Sequence, residues 1–420
     1  MSHPRVFRCI SQGSATASAA VLLLVASATA WGQAGTQPLK PGQVSWPADR
    51  AKDGAAEARL IEIYRLIGRG SSRLAIEAAE RLVKDHPNFQ LAQLVYGDLL
   101  ATRVKPVRMV GDIPDDLARA AYGTLQDLRS ESQLRISALK DRPPADSIPW
   151  KFVALSARNK HAIAIDVSKA RLYLFENSRH GAKLLGDYYI SVGKAGVGKT
   201  AEGDQRTPLG LYFITSNLDP KSLKDLYGSG ALPINYPNAF DVRRGKTGSG
   251  IWLHGTPSSQ FSRAPLATDG CIAVANPDLD RIIRTVEIRT TPVLIDKNLI
   301  WVTDQSLAAE RKAFEALLRS WAMAKSAGEH ARLLTYYAAD FSADGKDLAA
   351  YAATLQAEIA RAKGRTFQLN DISFLRSVGD AEIMVATFGE VVAGSRAGRT
   401  IRQYWERRGT QWKILYEGIV

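Results

Sequence analysis

Ile251-Trp252-Leu253-His254-Gly255-Thr256, followed after a polar stretch by Thr268-Asp269-Gly270-Cys271-Ile272, is the part of the chain from which the rest can be read. The sequence has 420 residues and two cysteines, Cys9 and Cys271. Cys9 falls in a segment where Arg5 and Arg8 precede an apolar run from Ala19 to Val25 and then Ala28-Thr29-Ala30. That order of charge, apolar core and small residues predicts a secretory signal peptide over 1–30. Once it is removed, Cys271 has no partner for an intramolecular disulfide. It is then either a small buried hydrophobe or a nucleophile. Gly270 permits a tight turn that brings main-chain N–H groups close to the sulfur, the way an oxyanion hole is built. His254, at the end of a strand-like run closed by Gly255, would supply the base that a thiol of ordinary pKa needs at neutral pH.

Composition narrows the setting. The net charge is +13, of which Arg5 and Arg8 account for two. In an exported protein this excess favours anionic envelope polymers or membrane surfaces over nucleic acid. The apolar run is much shorter than the roughly 20 residues that span a bilayer. The length predicts two to three domains. His86, His161, His180 and His330 show no ligand spacing around the one remaining thiol, so neither a metal nor another cofactor is expected.

A phosphate-binding loop is the main rival motif. Gly193-Lys194-Ala195-Gly196-Val197-Gly198-Lys199-Thr200 satisfies G-x-x-x-x-G-K-[ST], and Val293-Leu294-Ile295-Asp296 could serve as its downstream strand. The motif works only when a helix starts directly after it, because that helix's N-terminal N–H groups hold the phosphates. Here Gly203, Asp204 and Thr207-Pro208-Leu209-Gly210 follow, a composition that does not propagate a helix. No nucleotide partner is therefore expected.

Around this centre the chain divides into regions. Residues 31–54 are rich in Pro, Gly, Gln and Ala without periodicity and read as a flexible leader. Residues 55–140 are helical. Leu60, Ile63, Tyr64 and Ile67 recur at helical spacing, Leu74 to Val83 resume it after Gly68 and Gly70, and Pro87 separates a third run over 91–100. The segment around Ala75 to Ala92 resembles one tetratricopeptide-like helical pair, whereas an array needs about three copies. Pro143, Pro144 and Pro149 mark a boundary. Beyond it come short strands at 161–166, 171–175, 187–192, 209–215, 251–254 and 292–295, with Asn276 as N-cap and Pro277 as first residue of one helix running to about Val286. From about 305 to 420, three helices (306–327, 329–338, 346–363) precede four strands near Phe367, Ala381, Thr400 and Gln411. That order predicts helices packed on one curved sheet.

Ser191-Val192-Gly193-Lys194, Thr207-Pro208-Leu209-Gly210-Leu211-Tyr212, Ile251 to Thr256 and Asp269-Gly270-Cys271-Ile272, in that order, resemble the L,D-transpeptidase (YkuD) catalytic domain over residues 158–300. The C-terminal region, with Trp321, Tyr336, Tyr337, Phe341 and the closing Gln411-Trp412 run, resembles the NTF2-like cone. The implied fold class is multidomain α+β: a helical N-terminal region, a β-rich YkuD-like catalytic domain and an α+β NTF2-like cone at the C-terminus. The resemblance implies a periplasmic location and acyl transfer on peptidoglycan stem peptides. By position, Cys271 attacks the carbonyl between an L-centre and a D-residue to form a thioester. His254 removes the thiol proton and later protonates the leaving amine. Backbone N–H groups at Gly270 and Cys271 hold the oxyanion, with Gly255 and Thr268 in support, the Thr268 hydroxyl either near the histidine or serving a turn beside Asp269.

One departure from the family pattern bears on substrate choice. The family commonly has arginine two residues after the cysteine, and this chain has Ala273. A branch resembling the YafK group also has alanine there and includes an enzyme that releases a wall-linked lipoprotein. Arg263, Arg243 or Arg244 could replace the missing charge. Three readings stay open: an L,D-transpeptidase, a YafK-like peptidoglycan amidase or hydrolase, and a non-enzymatic wall-binding scaffold in which Cys271 only packs. The terminal domains would then offer surfaces for a partner protein.

Overall fold

The computed structural model describes residues 54–377, 379 and 381–420; the expected signal peptide over 1–30 and, apart from Gly54, the leader over 31–54 lie outside the described residues. The helical region consists of α1 (Ala55–Gly68), α2 (Ser72–Asp85), α3 (Gln90–Ala101), a short α4 (Asp115–Ala120) and α5 (Tyr122–Lys140). The helical spacing of Leu60, Ile63, Ala75, Ala79, Leu82, Leu91, Val95 and Leu99 puts them on inner faces, where they form one core. That core also takes in Phe261 and Ala275 from the neighbourhood of the Cys-His stretch.

The central region contains β1 (Ser147–Pro149), β2 (His161–Asp166), β3 (Arg171–Ser178), β4 (Gly181–Gly193), β5 (Gly210–Phe213), β6 (Ala231–Pro233), α6 (Ala239–Arg243), β7 (Trp252–His254), β8 (Leu266–Thr268), β9 (Ile272–Val274), α7 (Asn276–Thr285), β10 (Pro292–Asp296) and β11 (Trp301–Thr303). A mixed sheet runs β5-β10-β2-β3-β4-β9-β7-β6, with β8 also paired to β4. Alternation along the strands splits the sheet's side chains between two cores. Ile163, Ile165, Leu172, Leu174, Val293 and Ile295 face one core, which Leu279 and Ile282 of α7 complete. Ala162, Ala164, Tyr173, Phe175 and Leu294 face the other. Burial on both faces explains why these strands are apolar along their whole length rather than alternating with polar residues.

The proline-rich stretch lies between α5 and the strands that follow, and within it β1 pairs antiparallel with β11. One local expectation is corrected. The N-cap of α7 is Ala275, and Asn276 lies inside the first turn, where its side chain is engaged elsewhere, as described below.

The C-terminal region comprises α8 (Ala308–Ala327), α9 (His330–Leu334), β12 (Ser342–Ala343), β13 (Lys346–Asp347), α10 (Leu348–Ala362), β14 (Phe367–Arg376), β15 (Ile383–Val392), β16 (Gly398–Arg408) and β17 (Gln411–Ile419). Gly328, at φ 71, stops α8, and Asp347 caps α10 through the Ala350 N–H. The five-residue α9 is shorter than the expected 329–338 because Thr335 and Tyr337 leave the helix for turns. Strands β14 to β17 form an antiparallel sheet in chain order. One face, with Phe374, Met384, Ala386, Phe388 and Trp405, packs on Phe314, Leu318 and Trp321 of α8. The opposite face, with Leu375, Ile383, Val385 and Tyr404, packs on the outer core of the central sheet. Phe240 stacks on Tyr404 with ring centroids 5.5 Å apart.

Candidate active site

Strands β7 and β9 run parallel, with Leu253 opposite Ile272 and His254 opposite Ala273. Cys271 directly precedes β9, and its thiol is held against the start of β7. The Trp252 N–H donates to Cys271 Sγ at 3.4 Å, and the thiol donates to the Gly250 carbonyl at 3.3 Å. Cys271 is partly exposed, whereas His254 is buried. The imidazole is fixed by its Nδ1, 2.7 Å from the Gly255 carbonyl. That contact selects the tautomer with the proton on Nδ1 and leaves Nε2 free to accept one. Tyr227 meets the imidazole edge to face, with centroids 5.2 Å apart.

The turn before Cys271 demands glycine. Gly270 has φ +123, and a Cβ there would lie 2.8 Å from the Arg206 carbonyl oxygen. Thr268 Oγ1 closes the turn, donating to the Cys271 carbonyl at 2.6 Å and accepting from the Gly270 N–H at 3.1 Å. Of the two uses open to Thr268, its hydroxyl takes the turn before Cys271. One expectation changes as a result: the Gly270 N–H is engaged in that turn instead of facing a reacting carbonyl. Gly255 is required by crowding, since a Cβ would sit 2.0 Å from Asn276 Oδ1.

Two residues without an assigned role in the sequence organise the site. Thr207, fully buried, accepts from the Gly193 N–H and donates to the Gly270 carbonyl, both at 2.9 Å. The Thr-Pro segment is thereby tied to the turn before Cys271. Asn276 Oδ1 accepts from the Ser229 and Thr256 N–H groups at 3.0 Å each, and its Nδ2 donates to the Thr256 carbonyl at 2.8 Å. It pins the chain directly after His254 and Gly255. The signal for Asn276 was present in the sequence, but helix-capping chemistry offered a simpler use for the same amide.

The former phosphate-loop match has a structural task. Residues 200–209 form no helix. Instead Lys194 N–H donates to the Thr268 carbonyl at 2.7 Å, its ammonium pairs with Asp269 at 3.0 Å, and Lys199 is paired with Asp204 at 2.8 Å. The segment wraps the turn before Cys271.

Burial governs the site's protonation. It lowers His254 to about 4 against the opposing pull of the Gly255 carbonyl, and the nearby Arg263 charge lowers it further. Burial also raises the Cys271 thiol, with the Trp252 N–H pulling the other way. The resting pair at neutral pH is thus a thiol beside a neutral imidazole rather than a thiolate beside an imidazolium. Of the three arginines considered for the missing charge, Arg263 acts electrostatically on both His254 and Cys271, and its guanidinium bonds the Ala267 carbonyl at 2.5 Å. Arg243 is committed to Asp340 and Ser342 of the C-terminal region, and Arg244 lies over Phe240.

This geometry lies within the stretch 160–295, which matches the family model of the L,D-transpeptidase catalytic domain, YkuD, and this part of the chain belongs to that family. Among solved structures, Bd1075 from Bdellovibrio bacteriovorus superposes with a TM-score of 0.56 at 25% identity, over 66% of this chain and 98% of its own. The helical cell shape determining protein Pgp2 from Campylobacter jejuni gives 0.53 at 22% identity, over 64% of this chain and 96% of its own, and shares the fold. Both likenesses extend well beyond the catalytic stretch. A comparison with curated proteins gave no match.

Proposed function

We propose that the protein is an exported, periplasmic cysteine enzyme that opens L,D peptide bonds in peptidoglycan stem peptides through a Cys271 thioester. The observation that carries this reading is the Trp252 N–H bond to Cys271 Sγ, which holds the thiol against the strand that carries a tautomerically fixed His254. Neutral His254 takes the thiol proton at Nε2 as sulfur attacks the carbonyl carbon. The Cys271 N–H stabilises the tetrahedral oxyanion, a contribution of about 3 kcal/mol for one donor in comparable sites. The resulting imidazolium protonates the leaving amine, and the thioester passes to an acceptor.

An amine acceptor makes the enzyme a transpeptidase. Water makes it a hydrolase of the YafK-like kind, and the buried Ala273 opposite His254, where the family commonly places arginine, favours this second reading. We read the C-terminal helices and sheet as an NTF2-like domain and, given the fold shared with a cell shape determining protein, wall geometry as the cellular consequence.

Incubation with a carbapenem followed by intact mass measurement tests the proposal. A covalent adduct on the native chain that is lost in Cys271→Ala is expected. A folded protein with no adduct and no action on muropeptides would leave the wall-binding scaffold. New cross-links among the products identify transfer, and shortened or released peptides identify hydrolysis.

A further inference from the structure

Five cationic side chains in the described structure are buried: Arg135, Arg171, Lys199, Lys325 and Arg402. Four of them are paired with carboxylates, Arg135 and Arg171 with Glu57, Lys199 with Asp204, and Lys325 with Glu390. Arg402 is the exception. Only 6% exposed, it donates from Nε to Thr387 Oγ1 at 3.0 Å and makes no ion pair with any described carboxylate. A buried guanidinium without an anion is strongly disfavoured, since its desolvation goes uncompensated.

Its surroundings form a built cavity. Thr387 and Arg402 are direct partners on β15 and β16, on the sheet face that carries Val385 and Tyr404 and packs toward the central sheet. Opposite stands Phe213 at the end of edge strand β5, its ring centroid 3.6 Å from the guanidinium carbon. With Arg158 and Arg289 these side chains line a cavity of about 490 Å³ between the two sheets. Arg158 donates to Thr400 Oγ1 at 3.0 Å, and Arg289 is held in the left-handed region at φ 69 by its N–H bond to the Ile214 carbonyl. Neither makes an ion pair within the described chain, so three cations converge on a space whose lining also includes Asp371 and the α-carboxylate of Val420, neither of them ion-paired to an arginine.

We propose that this seam cavity binds a small monocarboxylate, gripped by the Arg402 fork over the Phe213 ring, with Arg158 and Arg289 at the rim. The planar guanidinium offers parallel N–H donors that match a carboxylate. Asp371 in the lining disfavours a dianion, which separates a carboxylate ligand from a phosphate. The volume is that of a site for an amino acid derivative or short peptide end. Because the two walls come from different sheets, an occupied cavity ties the C-terminal sheet to the catalytic domain.

The test uses the full chain carrying Cys271→Ala, so that its outcome does not depend on the thiol chemistry proposed above. N-acetyl-D-alanine and inorganic phosphate are titrated separately by calorimetry and by thermal shift. The acetylated amino acid should bind with unit stoichiometry and raise the melting temperature, phosphate should bind at least tenfold more weakly, and Arg402→Met should weaken the carboxylate at least tenfold. Arg158→Gln, at the rim, should weaken it severalfold and serves as the second variant if Arg402→Met does not fold. Absence of binding by both anions, or equal binding in the arginine variants, overturns the site. Tighter binding of phosphate than of the carboxylate overturns the ligand assignment.

Discussion

At the residue scale the site depends on how two polar side chains are buried. His254 falls to about 4 because burial disfavours its charged form. Since the proposed reaction needs a neutral base, kcat/KM should stay level as pH falls from 8 to about 5 and drop only near 4. A pH-rate profile with its acid limb at the ordinary imidazole value of about 6.5 would contradict the buried-base assignment. The same shift bears on stability. Between pH 6.5 and 4 the unfolded chain binds a proton that folded His254 refuses, so this contribution to stability is complete above 6.5 and declines by up to about 3 kcal/mol as pH falls toward 4. Thr207 is the other case. Thr207→Val keeps the shape but strips the Gly193 N–H and the Gly270 carbonyl of their partner. Unfolding should show a loss of about 1–3 kcal/mol, with kcat reduced more than KM is raised, while Thr207→Ser should restore both. Equal activity in the valine variant would mean that the turn before Cys271 holds its geometry without this bridge.

At the scale of elements, the loop between His254 and Cys271 is held by the helical region. Phe261 stacks on Phe89 at 4.3 Å, its N–H donates to the Asn88 carbonyl at 3.0 Å, and Ser262 donates to Glu131 of α5 at 2.7 Å. A loop of this length has many conformations unless anchored, and the anchor lies about 170 residues away in sequence. Phe261→Ala should therefore cost about 3–5 kcal/mol, admit proteolysis within 256–265, and slow carbapenem acylation of Cys271. Unchanged acylation in a folded variant would separate the helical region from the chemistry. This anchoring also shows what could be read from the chain and what could not. Cys271, His254 and the glycines beside them declared themselves through local motifs, and the strands at 161–166, 171–175 and 292–295 through apolar β-forming runs. The three-residue strands β6, β8 and β9 carry too little periodicity to be seen, and they exist only because β4 and β7 offer them edges. Asn276 and Thr207 act through partners 14 to 63 residues distant, a relation that no spacing rule encodes.

For the whole molecule, the junction of the helical region with the central sheet is a buried ionic cluster rather than an apolar seam alone. Glu57 Oε1 of α1 lies 2.7 Å from both Arg135 of α5 and Arg171 of β3, Arg171 also bonds Asp187 at 2.5 Å, and Arg135 lies over the Tyr189 ring at 4.0 Å. Burial pushes the Glu57 carboxyl up, but the two guanidinium groups pull it further down, to about 2. Such a cluster adds little over an apolar packing of the same shape, yet removal of one member leaves charges buried without partners. Glu57→Gln should therefore destabilise the protein by about 3–5 kcal/mol, read as a lower urea midpoint. The sign of the pH effect follows from the depressed carboxyl. Its contribution is complete above the unfolded value of 4.5 and is lost as pH falls toward 2, so the gap between the native chain and Glu57→Gln should be constant from pH 7 to 5 and close below it. Because this one carboxylate links α1 to both α5 and β3, loss of the pair should first free the helical region. Hydrogen exchange in the variant should then rise over 55–140 and over the 256–265 loop while the strands β2, β3 and β10 stay protected. Uniform exchange across all three regions would mean that the helices and the catalytic sheet unfold as a single cooperative unit, with the cluster adding stability to the whole rather than joining two parts.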